Sequence, residues 1–119
     1  MAAITIMETD MSAVYNMSMD SHSDFKREFQ IKSGITIVDI TDYTFAMKMR
    51  AQYGSPTSHD ATCSIVDAAT GKFCVEYSDT TTADIKPGDY LYDIVMTDDS
   101  DKKTTLLRGT VTVHGGITR

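Results

Sequence analysis

SDTTTADIKPGDYLYDIVMT, residues Ser78 to Thr97, is the stretch that decides the architecture of this chain. Serine is a residue type whose side-chain oxygen caps helix N-termini, so Ser78 opens a single helical turn running toward Ile85. Pro87 and Gly88 end it, because proline lacks an amide to donate and glycine turns without steric cost. From Asp89 the period becomes two, with Tyr90, Tyr92, Ile94 and Met96 on one face. A helical turn, a Pro-Gly corner and an alternating aromatic strand, in that order, carry a chain from one layer of a β-sandwich to the other. Tyr90 stands just after the corner, where its ring packs inward and its hydroxyl reaches back to loop backbone. A fully buried ring there makes Tyr90→Ala cost about 3–5 kcal/mol. Pro87, Gly88, Tyr90 and Tyr92 form the structural corner.

Outward from the corner, other segments alternate in the same way. Phe25, Phe29 and Ile31 oppose Lys26, Glu28 and Gln30, with Arg27 the charged exception at a strand end. Tyr43, Phe45, Met47 and Met49 oppose Thr44, Ala46, Lys48 and Arg50. Ala61 to Val66 and Lys72 to Tyr77 flank Asp67-Ala68-Ala69-Thr70-Gly71, a short connection whose final glycine suits a positive φ and so a hairpin. Asp98 to Lys103 is a polar hairpin loop, after which Leu107, Gly109, Val111 and Val113 oppose Arg108, Thr110 and Thr112. Val14 to Met19 alternates loosely and reads as a first edge strand, and Ile35 to Val38 as a short crossing. The expectation is an all-β sandwich of about seven strands with one short helical turn before the Pro87-Gly88 corner.

A chain of 119 residues has room for one core. We divide it into an N-terminal arm (residues 1–12), the sandwich (13–114) and a short tail (115–119). The formal net charge of −6 argues against a nucleic-acid partner, which needs a basic stripe. No apolar run approaches the roughly 20 residues that span a bilayer, so no membrane partner is expected. MAAITIMETD has no basic n-region, which implies a chain made and kept in a cytosol. The arm carries Ile4, Ile6, Met7 and Met11 outside the core pattern. These are candidate partner contacts: the arm either folds back as an extra edge strand or adds a strand to a neighbouring subunit.

Residues able to carry chemistry are sparse. Asp98-Asp99-Ser100-Asp101 offers oxygens for calcium, yet lacks the glycine and closing glutamate of an EF-hand and is followed by Lys102 and Lys103. His22, His59 and His114 are dispersed, and Cys63 and Cys74 alone cannot close a tetrahedral zinc site. In a reducing compartment the two cysteines stay unpaired. There is no G-x-S-x-G elbow and no phosphate-cradling glycine loop. A glycan site would present flat aromatics, and only Tyr15, Tyr53 and Tyr77 fall where they could face outward. The expectation is a protein with no catalytic, cofactor or metal residues, with a calcium- or glycan-binding module as the alternative.

Five stretches also carry a resemblance: DFKREFQI (Asp24–Ile31), ITDYTFAMKMR (Ile40–Arg50), SIVDAATGKFCVEYS (Ser64–Ser78), TADIKPGDYLYDIVMTD (Thr82–Asp98) and LLRGTVTVHGGITR (Leu106–Arg119). From Phe25 onward the chain resembles an immunoglobulin-like domain of tailed-phage virion proteins, similar to the N-terminal domain of phage baseplate upper proteins. Asp42 stands where that family often has glycine, and the N-terminal arm lies outside the pattern. The resemblance implies a non-enzymatic structural component of a tail, baseplate, fibre adaptor or capsid decoration. Its partners would be other virion proteins and further copies of itself in an oligomer or symmetric array, and its location the virion.

Overall fold

A computed structural model describes residues 4–7, 13–33, 36–52 and 57–115. In chain order the strands are β1 (Ile4–Met7), β2 (Ala13–Val14), β3 (Met17–Asp20), β4 (Phe25–Ser33), β5 (Thr36–Ile37), β6 (Thr44–Arg50), β7 (His59–Asp60), β8 (Thr62–Asp67) and β9 (Lys72–Tyr77). The short helix α1 (Asp79–Ala83) follows, then β10 (Gly88–Thr97) and β11 (Lys103–His114). They form two packed sheets. The first runs β1-β4-β9-β8 with β5 beside β4, and the second runs β2-β11-β10-β6-β7 with β3 also on β11. The chain is an all-β sandwich, and the one helix among the described residues is the turn before Pro87-Gly88.

The inward faces meet in a continuous apolar core that includes Phe29, Ile31, Met47, Met49, Phe73, Val75, Ile94 and Val111. Three rings bridge the layers: Phe29 lies 5.4 Å from Phe73, and Phe73 stacks 3.9 Å from Phe45 of the opposite sheet. Arg27 keeps its charge at the margin by laying its guanidinium over the Phe25 ring at 4.5 Å. Asp42 has φ 66, a left-handed backbone that aspartate tolerates and glycine adopts freely, so the position accepts either residue.

α1 is held by side chains rather than by its length. Ser78 accepts from the Thr81 amide, and the buried Thr82 hydroxyl donates to Ser23 O at 2.9 Å while accepting from Ser23 N at 3.1 Å. Asp24 adds an acceptor for the Asp79 amide at 2.8 Å. The corner is thereby clipped to the turn that joins β3 to β4.

Two local readings change, and Leu106 joins the core residues. Tyr77 points inward and is 2 % exposed, because Phe73, Val75 and Tyr77 share the core face of β9. Leu106 is buried beside Leu107: β11 bulges opposite Ile94 and Val95, leaving Leu106 without a ladder partner and turning two successive leucines inward. Tyr90 is half-buried, with its hydroxyl at the surface, so its truncation costs less than that of a fully buried ring.

Candidate interaction surfaces

At the corner, the Tyr90 hydroxyl donates to Lys86 O at 2.7 Å and the ring meets His59 edge-on at 5.9 Å. Tyr92, one inward position further, does more. It is 4 % exposed, and its hydroxyl donates to Tyr15 O across 77 residues of sequence. That carbonyl sits in the gap between β2 and β3, where the edge of the second sheet is stitched rather than continuous. Tyr15 N donates to Arg108 O at 2.9 Å, and Asn16 Oδ1 accepts from Thr110 N at 3.0 Å. Gly109 makes room for this approach, since a Cβ there would fall 2.5 Å from Tyr15 O. Tyr92→Phe is expected to remove this donor from the half-buried Tyr15 carbonyl and cost about 0.5–1.5 kcal/mol in urea unfolding.

Burial, with Tyr15 nearby, raises the Tyr92 hydroxyl above its ordinary 10.0. Burial, Asp60 and Cys63 do the same for Tyr77. Burial also pushes the Cys63 thiol from 9.0 up to about 11, so it is protonated at neutral pH. Between the ordinary and raised values the unfolded chain has released these protons while the folded chain holds them. Stability is therefore expected to fall as pH rises through 9 to 11, more steeply in the parent protein than in Tyr92→Phe, as thermal melts would show.

The outward face of the second sheet holds a groove of about 500 Å³. Strand register sets its floor. Val14, Arg108, Asp93, Lys48 and Asp60 stand side by side across β2, β11, β10, β6 and β7. Beside that rung run Thr110, Leu91 and Arg50. Cation and anion alternate, and Lys48 reaches Asp60 at 3.4 Å, so the rung neutralises most of its own charge.

The remaining candidates are accounted for locally. Asp98 Oδ1 accepts from Ser100 N and Lys102 N, each at 2.9 Å, and so caps its own hairpin. Among the described residues no three His, Cys, Asp or Glu side chains are grouped to hold a metal ion. Cys63 and Cys74 are free thiols. Cys63 pairs in register with the inward Val75 and Cys74 with Ser64, so the two sulfurs point to opposite faces of the first sheet. The arm is described at residues 4–7, where Ile4, Ile6 and Met7 lie in β1, parallel to β4 from Phe29 to Lys32. Met11 and Tyr53 lie outside the described residues.

This chain shares its fold with a phage protein domain. It is similar to the N-terminal domain of phage TP901-1 ORF48 over 93 % of its own length and 95 % of that chain, at a TM-score of 0.56 and 14 % identity. At that identity the likeness is one of fold. The Listeria monocytogenes internalin-like protein lmo2027 is more distant, at a TM-score of 0.43 and 8 % identity over 88 % of this chain and 28 % of that one. No protein-family model matches the chain, and no curated protein matches it in sequence.

Two surfaces escaped the reading of the sequence. Lys48, Arg50 and Arg108 were each assigned to outward faces, but their gathering depends on β11, β10 and β6 being neighbours, which no local pattern encodes. The second is β8, an outermost strand whose Ile65 and Val66 are exposed by 39 % and 48 %. An uncharged run with two apolar β-branched residues at its end was the available signal.

Proposed function

We propose that this chain is a non-enzymatic structural component of a phage virion that works through protein–protein contacts, with other virion proteins and further copies of itself as partners. The observation that carries the reading is the likeness to a phage protein domain over nearly the full length of both chains. The strand order supports a narrower, immunoglobulin-like version. Lettering β1, β4, β6, β8, β9, β10 and β11 as A to G makes the two sheets A-B-E-D and G-F-C, the order of that fold. The bond from Tyr90 to Lys86 matches the tyrosine corner such domains carry before their sixth strand. β1 departs from the pattern by running parallel to its neighbour.

Supporting the absence of catalysis, the Cys63 thiol is held protonated and the Tyr77 and Tyr92 hydroxyls are engaged by backbone carbonyls. The test is mass spectrometry of purified particles of the encoding phage, with antibody labelling in electron micrographs. The chain is expected in the particles at one fixed position. Its presence in infected cells but absence from washed particles would refute the proposal.

A further inference from the structure

The geometry points to β8 as a self-pairing edge, through which two copies of this chain join their first sheets antiparallel about a two-fold axis. The inference rests on the reading of the chain as an assembly component and names one contact that builds the assembly.

β8 is the longest edge strand among the described residues, at six residues against four in β1 and β3 and two in β2, β5 and β7. Its inner side is satisfied by β9. Ala61, just before it, donates to Met47 O at 3.0 Å. Beyond that point no described strand pairs with its outer side. A free row of backbone donors and acceptors is a template for another strand, and natural edges are usually blunted by lysine, proline or an inward charge. Thr62 to Val66 contains none of these. The far edge of the second sheet shows the contrast: β7 has two residues and carries the Lys48–Asp60 ion pair.

The occupant follows from charge. Two copies of a chain with net charge −6 repel, and they approach at least cost where the surface is neutral. Thr62 to Val66 is such a place, with Asp60 and Asp67 at its ends. A two-fold axis through Ser64 sets Cys63 of one copy against Ile65 of the other and brings no two carboxylates opposite. Ile65 then loses the water contact that now leaves it 39 % exposed. The bulge at Val66, between Ile65 and Asp67, confines the new ladder to Cys63 through Ile65. So short a ladder makes a weak dimer, strengthened where a particle concentrates the copies.

Light scattering and amide hydrogen exchange on the full chain, across concentrations up to about 1 mM, test the inference. The mass is expected to rise toward that of a dimer, with the outward amides of Cys63 and Ile65 gaining protection as it does. Ile65→Lys and Val66→Lys, both at exposed positions, are each expected to weaken dimerisation by about tenfold or more with the melting temperature nearly unchanged. Val14→Lys, at a 65 % exposed position on the other sheet, is the control for general stickiness and should leave the dimer intact. A monomer at every concentration, or a dimer indifferent to both β8 variants, overturns the self-pairing. A monomer that is nonetheless found in particles would sink this contact alone, whereas a β8 dimer absent from particles would sink the virion reading alone.

Discussion

Gly71→Ala is expected to destabilise the protein by about 2–5 kcal/mol, a penalty with two separable parts. Gly71 has φ 72, and a side chain in that left-handed region costs about 1–2 kcal/mol. A Cβ built there lies 2.5 Å from Val38 O and 2.9 Å from Ile31 O, both backbone atoms that cannot rotate aside. Relieving that overlap adds about 1–3 kcal/mol, because the hairpin tip is fastened where it sits. Ile31 N donates to Gly71 O at 2.9 Å, Ile40 N to Ala68 O at 3.0 Å, and Gln30 Nε2 to Thr70 O at 2.9 Å. Moving the tip breaks bonds to the end of β4 and to the segment after β5 together. Gly88→Ala carries a conformational cost without an overlap, since Gly88 has φ 147 and nothing lies within 4 Å of an added Cβ. Urea unfolding of both variants decides the matter. A loss at Gly71 no larger than about 1–2 kcal/mol, the cost of its own backbone angle, would show that Val38 and Ile31 yield easily.

That glycine also marks how far a sequence can be read. Its turn was legible, because a glycine closing a short connection between alternating segments is a local signal. Its contact with Ile31 and Val38 was not, because those residues are brought under the hairpin only by the pairing of β4 with β9. The helical turn and the corner at Pro87-Gly88 were legible for the same local reasons. The burial of Leu106 was not legible, because strict alternation has no place for the extra residue of a bulge. Tyr77 was placed outside although it continues the inward series of Phe73 and Val75; the hydroxyl suggested water, but His59 O accepts it at 2.7 Å. The apolar residues at positions 4, 6 and 7 stood out, while the direction of β1, parallel to β4, has no sequence signature. At the surface, residue types were legible strand by strand and neighbourhoods were not. The rung from Val14 to Asp60 draws on five strands, and the outer side of β8 is open in that no other described strand pairs with it.

Phe73→Ala is expected to be the most damaging single truncation, at about 3–5 kcal/mol. Phe73 is fully buried and is the middle ring of the three that join the layers, with Phe29 on its own sheet and Phe45 on the other. Its loss removes apolar burial and leaves a cavity that neither flanking ring can fill without leaving its own strand position. Against a typical stability of about 5–15 kcal/mol, such a loss takes a large share of what holds the sandwich together. The urea midpoint should fall with an unchanged slope, since the surface exposed on unfolding is nearly the same. Phe45→Ala should cost less, because that ring is only half-buried. The double variant separates stacking from simple burial. The contact of Phe45 on Phe73 at 3.9 Å predicts a loss smaller than the sum of the single losses, by about 0.5–3 kcal/mol, because the first truncation already removes the shared contact. A strictly additive pair would mean that the rings act as two separate pieces of buried surface, and that the sheets are held by area alone.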